Sequence, residues 1–298
     1  MAELPNVCLS LPNRPENVLV VRQALTGVAE SLGLDAVASN DLNTAATEAC
    51  NNVVLHAYGG AEGPLELGVY IDANAIKVVV SDRGSGMTLR EEDDEEIQAG
   101  IGLPVIHALS RHVEISDRSG GGTEVCMEFA APTEAALELL EGETRGPRAP
   151  AQGQAPASET AEGQPAEEEP AEERTNTVAM SLAPTALARQ VLPRVLCALA
   201  ARAYFSTDRI SDVQLVADVL AANAGESITG SHLDVGVTVA PRNLELRLGP
   251  LRVGRGESVI KTAADGMTPV IERLTDEHHR VQRADSAETL ELRLVEQR

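Results

Sequence analysis

The stretch TEACNNVVLHAYGG, residues 47–60, places an acid and an amide where they could act together. Glu48 and Asn52 are four residues apart, so both side chains share one face if this stretch is helical. A carboxylate can accept a proton from a hydroxyl group, and a carboxamide oxygen is a ligand for a hard divalent cation. The surrounding Ala and Cys residues predict a closely packed helix. Taken alone, the pair also fits a polar stripe on a solvated helix.

A glycine-containing turn follows a predicted strand in the segment SDRGSGM. It puts Asp82 at the strand end and Gly84, Gly86 and Met87 after it. A strand-terminal Asp can accept a hydrogen bond from an exocyclic amine, and glycines allow the backbone to approach a ring or a phosphate. Such turns are common, so this segment indicates a nucleotide only in combination with others.

Two further glycine-rich segments come later in the first half. AGIGLPVI places Gly100 and Gly102 at the start of a predicted helix, where free N–H groups and the positive helix end attract phosphate. GGGTEV places three glycines and Thr123 at a strand start, where they can donate to a phosphate or line a base pocket. The four segments together predict a nucleotide site.

The elements that must position these residues are readable from periodicity. Residues 15–33 and 39–57 have helical spacing, and the alternating stretches before and after them are typical of strands. The predicted order is β-α-α-β-β-loop-α-β-β. Hairpin strands combined with helices predict an α+β fold, a two-layer α/β sandwich with the helices on one face of a mixed sheet.

The four segments, in this order, resemble the N box and the three glycine boxes of the GHKL ATP-binding superfamily. That superfamily has the Bergerat, or histidine-kinase-like ATPase, fold. Within it, TEACNNVVLHAYGG resembles the E-A-x-x-N-x-x-x-H-A-Y motif of the anti-sigma factor serine kinases at every position. The resemblance covers about residues 5–131.

The resemblance implies ATP and Mg²⁺ as cofactors and a role for each matched residue. Asn52 resembles the Mg²⁺ ligand, Glu48 the general base for an attacking serine hydroxyl, and Asp82 the adenine reader. The remaining matched positions resemble contacts to the nucleotide: Gly84, Gly86, Met87, Gly100, Gly102 and Thr123. His56 and Tyr58 match the motif with either a functional or a structural role. The segment REEDDEEIQAG is strongly acidic where such lids are usually basic or neutral, which bears on phosphate affinity.

The resemblance also implies a function, an anti-sigma regulator that phosphorylates a STAS-type antagonist on Ser or Thr and so controls a sigma factor. The alternative is a nucleotide-gated binding module without kinase activity. The family often forms dimers, so both a homodimer and an intramolecular pseudo-dimer are open.

The second half repeats the pattern of the first. With a constant offset of 171, residues 7–52 align without a gap onto 178–223, and Leu11 meets Leu182. The identities are sparse, so chance similarity is the alternative, but the repeated element order favours a tandem duplicated domain.

The candidate site is lost from the second copy. Asn223 matches Asn52, but the other site positions differ: Val219, Pro250, Arg252, Asp265 and Met267. We therefore expect a degenerate pseudo-ATPase domain in residues 177–298, following an ATP-binding domain in residues 1–135.

Residues 136–176 differ sharply in composition from both halves. They are rich in Pro, Ala, Gly and Glu, which predicts a disordered acidic linker. A plain tether and a binding tail are the two readings of this segment.

The whole-chain composition limits the function classes. The formal charge of −22 disfavours nucleic-acid binding. Four widely spaced cysteines, an N-terminus unlike a signal peptide and no long apolar run predict a cytoplasmic protein without a membrane segment.

Overall fold

The structure, a computed structural model, describes residues 4–84, 102–118, 121–141, 176–262, 269–282 and 287–296. The strands are β1 (Val7–Pro12), β2 (Pro64–Ile71), β3 (Ala75–Asp82), β4 (His112–Asp117), β5 (Thr123–Ala130), β6 (Thr177–Leu182), β7 (Leu233–Ala240), β8 (Asn243–Arg252), β9 (Glu277–Gln282) and β10 (Ala287–Val295). The helices are α1 (Pro15–Ser31), α2 (Ala36–Asn52), α3 (Gly102–Leu109), α4 (Thr133–Glu141), α5 (Ala188–Arg202), α6 (Thr207–Ser227), α7 (Arg255–Ile260) and α8 (Val270–Leu274). None of the helices in this described part combines the length and apolar character needed to cross a membrane.

Within the described residues, ten antiparallel strands form one sheet in the order β4-β5-β3-β2-β1-β6-β7-β8-β10-β9. Buried and less buried residues alternate along β1 and β2, so one face of the sheet is covered and the other is open. The large helices pack over the covered face, where Val, Leu, Ile and Ala side chains form the core. The predicted α+β architecture and its element order are therefore confirmed for the first half. The prediction of a mixed sheet is wrong, because neighbouring strands in the described part of this half all run antiparallel.

The helix predicted over residues 39–57 differs from the observed one at both ends. α2 begins at Ala36 because Asp35 caps it, its side-chain oxygen accepting a 2.8 Å hydrogen bond from the Ala38 N–H. The α-helix ends at Asn52 and continues as a π-helical turn over Val53–Ala57. Such turns are frequent at functional sites.

Some predictions fall at or beyond the limits of the described residues. α4 runs to Glu141, so ordered structure continues past the predicted boundary at residue 135. The bulk of the predicted linker lies outside the described residues, as do Gly86, Met87, Gly100, Asp265 and Met267. The domain limits stay predictions.

The strand order is palindromic about the pairing of β1 with β6. Each strand of the first half has a counterpart at the same distance from this centre, and β1 and β6 run antiparallel. Leu9 lies directly opposite Met180, and these two residues are equivalent under the offset of 171. An approximate two-fold axis through this pair is what a duplication would produce, although the duplication itself stays a prediction.

Helices α1 and α5 pack against each other next to the pairing of β1 with β6. We call β1, β6, α1 and α5 together the seam. α1 packs against α5 at Gly27, where a Cβ atom would lie 2.7 Å from the Gln190 carbonyl oxygen. The Arg194 guanidinium donates to the carboxylate of Glu30, with Nε 3.2 Å from Oε2. Arg202 donates to the side-chain oxygen of Asn17. The two halves are therefore joined by strand pairing, close helix packing and polar contacts.

Candidate functional site

Glu48 and Asn52 both face the start of α3. A Cβ atom built on Gly102 would lie 3.2 Å from Glu48 Oε2 and 3.5 Å from Asn52 Oδ1. Both side chains are partly exposed, while their neighbours Ala49 and Cys50 are fully buried. The absence of a side chain at Gly102 keeps open the space in front of the carboxylate and the amide. This space suits a small hard cation bound to the amide oxygen of Asn52 together with phosphate oxygens.

Asp82 and Thr123 lie side by side at the ends of two neighbouring strands. The β3–β5 ladder pairs Ser81 with Glu124, so Asp82 and Thr123 are the next residues along the two strands. Both lie on the covered face of the sheet, and they are only 4% and 7% exposed. α2 packs against both strands. The fold thus places a buried carboxylate and a hydroxyl group together near the helix that carries Glu48 and Asn52.

Close backbone approach shapes the turn after Asp82. The Gly84 N–H donates a 2.8 Å hydrogen bond to Asp82 Oδ1. A Cβ atom on Gly84 would lie 2.0 Å from the Ala57 carbonyl oxygen, and one on Gly122 would lie 2.1 Å from the Asp82 carbonyl oxygen. Gly122 also has a φ of 97°, which favours glycine. Side chains at these positions would force the turn apart.

Tyr58 connects the π-helical turn to the strand ends that carry Asp82, Gly84 and Thr123, which we call the corner of the sheet. Its hydroxyl donates to the Pro64 carbonyl oxygen at 2.5 Å and accepts a hydrogen bond from the Arg83 N–H at 2.8 Å. His56 is exposed. Of the two motif residues whose role the sequence left open, Tyr58 therefore has a defined contact with the site.

The Arg83 side chain is paired with a carboxylate on β2. Its Nη2 lies 2.6 Å from Oε1 of Glu66, and Arg118 Nη1 lies 2.8 Å from Oε2 of the same carboxylate. Arg118 Nη1 is also 3.3 Å from the Asp82 carbonyl oxygen. Partial burial would raise the pKa of Glu66, but hydrogen bonds from Arg118 and Arg83 outweigh it and hold the pKa below its ordinary value. Arg83 is thus engaged by Glu66.

The predicted site residues within the described part fall into two neighbouring groups. Glu48, Asn52 and Gly102 form one, and the corner at the strand ends forms the other, with Asp82, Gly84 and Thr123. Sequence reasoning missed Glu66 and Arg118, because only the strand register and the β4–β5 turn bring them to the corner. It considered the three successive glycines before Thr123 only as a group, and did not foresee the positive φ and the close backbone approach of Gly122.

The corresponding region of the second half is filled by its own side chains. The Glu288 carboxylate is 5% exposed and accepts hydrogen bonds from the N–H groups of Gly254 at 2.9 Å and Gly256 at 3.0 Å. Asn223 donates from its amide to the Val219 carbonyl oxygen within α6, at 2.7 Å. The Glu288 carboxylate therefore occupies these two backbone donors. The side-chain amide of Asn223, the counterpart of Asn52, is bound to its own helix.

A surface groove lies elsewhere on the described part of the chain. It has a volume of about 470 Å³ and lies beside the seam, between Leu19 of α1 and Asp218 of α6, with α5 as its floor. None of the predicted site residues lines it. The groove is therefore separate from the candidate site.

Comparison with known proteins gives one family match and several similar relatives. Residues 11–129 match the family described as "Histidine kinase-like ATPase domain". The chain is 32% identical over 133 residues to the serine-protein kinase RsbW of Oceanobacillus iheyensis, covering 40% of this chain and 84% of the relative. It is 30% identical over 127 residues to RsbW of Bacillus subtilis, covering 38% of this chain and 78% of the relative. It is 33% identical over 122 residues to RsbW of Listeria innocua, covering 37% of this chain and 78% of the relative.

Similarity to solved structures is weaker. A histidine kinase domain from Erythrobacter litoralis matches 34% of this chain and 48% of its own, with a TM-score of 0.28 and 20% identity. A score this low supports no argument. The sequence relatives and the matched ATPase domain are what bear on the chemistry.

Proposed function

Because the chain belongs to the family of RsbW serine-protein kinases through its first half, we propose that it is an ATP-dependent anti-sigma regulator with serine/threonine kinase activity. Its substrate would be a STAS-type antagonist protein, and its regulated target a sigma factor. The matched ATPase domain implies ATP binding. The identity of the acceptor protein comes from the family resemblance.

One observation carries the proposal. Glu48 and Asn52 lie together in front of Gly102, next to the corner that holds Asp82 and Thr123. A base, an amide ligand for a cation and a buried carboxylate that can read an amine are groups that can serve phosphoryl transfer from an adenine nucleotide.

In this proposal each side chain has one task. Asn52 would hold Mg²⁺ against the phosphates, and Asp82 would accept a hydrogen bond from the adenine amine. When bound, MgATP supplies the phosphoryl group and leaves as ADP. The acceptor hydroxyl oxygen forms the new P–O bond while the bond to the β–γ bridging oxygen breaks, and Glu48 accepts the hydroxyl proton.

A second candidate function is a nucleotide-gated binding module without transfer. The observation that favours it is the pairing of Arg83 with Glu66, since this takes a cation next to the site away from the phosphates. A lid segment rich in Asp and Glu adds to this argument. The two candidates share ATP binding and differ in phosphotransfer.

Phosphotransfer to the antagonist separates the two functions. The full chain is incubated with MgATP and the STAS-type proteins of its source, and phosphoserine and phosphothreonine are measured by mass spectrometry. We expect a phosphorylated antagonist with the wild-type protein. With Glu48→Gln the transfer rate should fall by about 10²–10⁴-fold while ATP affinity stays close to the wild-type value. Glu134→Gln, which alters an exposed acid on α4, is the matched control and should transfer at the wild-type rate.

Each outcome decides between the candidates. ATP binding without transfer to any antagonist supports the binding module. Transfer at the wild-type rate by Glu48→Gln would show that another group is the base. A protein that binds no ATP would contradict both functions.

For the second half we propose a supporting role without nucleotide binding. It pairs its strand β6 with β1, packs α5 on α1, and fills its own backbone donors with Glu288. These are the contacts expected of a permanently attached partner subunit. The chain would thus carry one nucleotide site on one ten-stranded sheet.

A further inference from the structure

The hydroxyl group of Tyr58 is held between two backbone segments that flank the candidate site. It donates to the Pro64 carbonyl oxygen at the start of β2, and the Arg83 N–H at the end of β3 donates to it. The two distances, 2.5 and 2.8 Å, are those of well-formed hydrogen bonds. Tyr58 therefore joins the π-helical turn after Asn52 to the two strands.

Arg83 lies between Asp82 and Gly84, two residues of the corner. On one side, Asp82 accepts a hydrogen bond from the Gly84 N–H, and on the other side of the turn Gly84 packs against the Ala57 carbonyl oxygen. Fixing the Arg83 N–H thus fixes the peptide that follows Asp82. The direction of the Asp82 carboxylate depends on this peptide.

The tyrosine ring has little freedom of its own. A Cβ atom on Gly63 would lie only 2.1 Å from a ring carbon of Tyr58, so the loop backbone presses directly on the ring. A packed ring whose hydroxyl group makes two hydrogen bonds is a rigid connection. It transmits the position of α2 and its π-helical turn to the strand that carries Asp82.

We propose that Tyr58 is a positioning residue for nucleotide recognition, setting the Asp82 carboxylate relative to the helix that carries Asn52. The proposal rests on the proposed function, since it assigns a part in recognising the same nucleotide. It predicts that the Tyr58 hydroxyl group affects the choice of base more than it affects the stability of the fold.

The protonation of Tyr58 is consistent with this role. Burial raises the pKa of Tyr58, and the negative charges of Asp82 and Glu66 raise it further, against the lowering effect of the Arg83 hydrogen bond and charge. The hydroxyl group therefore keeps its proton at neutral pH and can donate to Pro64. Deprotonation at high pH would remove this donor.

The test compares Tyr58→Phe with Tyr204→Phe in the full chain. Both variants remove one phenolic oxygen, and Tyr204 is 74% exposed in the second half. Calorimetry with MgATP and MgGTP gives the affinity for each nucleotide, and thermal unfolding gives the stability. We expect Tyr58→Phe to weaken ATP binding by roughly 5–50-fold, because two backbone groups lose their partner, and to lower the preference for ATP over GTP. Tyr204→Phe should match the wild type.

A conservative replacement of Tyr58 distinguishes a positioning role in nucleotide binding from a purely structural role. Site-specific fluorotyrosine at position 58 keeps the hydroxyl group but loses its proton at a lower pH. We expect wild-type ATP affinity at neutral pH and a loss of affinity that begins at lower pH than in the wild type.

The outcomes are distinguishable. Equal ATP affinity in Tyr58→Phe and wild type would overturn the inference while leaving the proposed function intact. An unchanged ATP-to-GTP ratio, with stability and both affinities reduced together, would assign Tyr58 a structural role only. If the wild-type protein binds no ATP, the proposed function fails, and the inference fails with it.

Discussion

Replacing Gly27 with Ala tests the seam between the two halves. Gly27 is buried in α1, and the added Cβ atom would lie 2.7 Å from the Gln190 carbonyl oxygen and 2.8 Å from Val191 Cα of α5. Atoms at these distances must move apart. Because both are backbone atoms of a helix, the strain cannot be relieved by rotating a side chain.

The expected magnitude follows from two opposing effects. Alanine is favoured over glycine inside a helix by about 1 kcal/mol. Forcing an extra carbon into a packed contact typically costs about 1–3 kcal/mol, and the upper part of this range fits a clash with backbone. We therefore expect Gly27→Ala to lower the free energy of unfolding by about 1–2 kcal/mol.

The matched control is Gly225→Ala on α6. Gly225 is exposed, and its Cβ atom would lie 3.1 Å from the hydroxyl oxygen of Thr185, a side chain that can rotate away. This variant gains the helix preference without the backbone clash, so its stability should stay the same or rise by up to about 1 kcal/mol. Urea unfolding followed by far-ultraviolet circular dichroism measures both variants, and light scattering records the oligomeric state.

The reasoning would be refuted if both glycine replacements stabilised the protein equally. That result would mean that α1 and α5 do not approach each other as closely as the structure shows. A loss of stability in Gly27→Ala accompanied by new dimers at high protein concentration would support the seam directly, since opening it exposes the edge of β1.

Three further predictions concern the nucleotide. Asn52→Ala should weaken ATP binding measured with Mg²⁺ more than binding measured without it, and equal losses in the two calorimetric titrations would remove Asn52 as a cation ligand. Asp82→Asn should reduce the preference for ATP over GTP, and an unchanged ratio would argue against its role as the adenine reader. In hydrogen exchange, ATP should protect residues 48–58 and leave 215–262 unchanged, because Glu288 already occupies the backbone donors of Gly254 and Gly256 in the second half; protection in both ranges would contradict a single site.

The sequence predicted the elements of the first half because local patterns determine them. Alternation along β2 and helical spacing along α1 follow directly from which face is buried. The approach of Glu48 to Asn52 follows from helix geometry alone. Asp82 and Thr123 were both expected at strand ends, but their position side by side depends on the pairing of β3 with β5.

Features made by distant residues were beyond the sequence. The hydrogen bond between Tyr58 and Arg83 depends on a π-helical turn that periodicity does not reveal. Glu66 meets Arg118 only because β2, β3 and β5 are neighbours in one sheet. The docking of the halves required the register of Leu9 against a strand far along the chain.

The central pairing of β1 with β6 has a consequence for synthesis on the ribosome. β6 follows β1 by about 170 residues, so at ~5–20 residues per second β1 is made ~10–35 s before its partner strand. During this interval β1, with the sequence VCLSLP, is an open edge without a charged side chain. Edges of this kind pair readily with a second chain, and neighbouring ribosomes on one messenger supply such chains. A chain that terminates before β6 is translated keeps that edge open permanently.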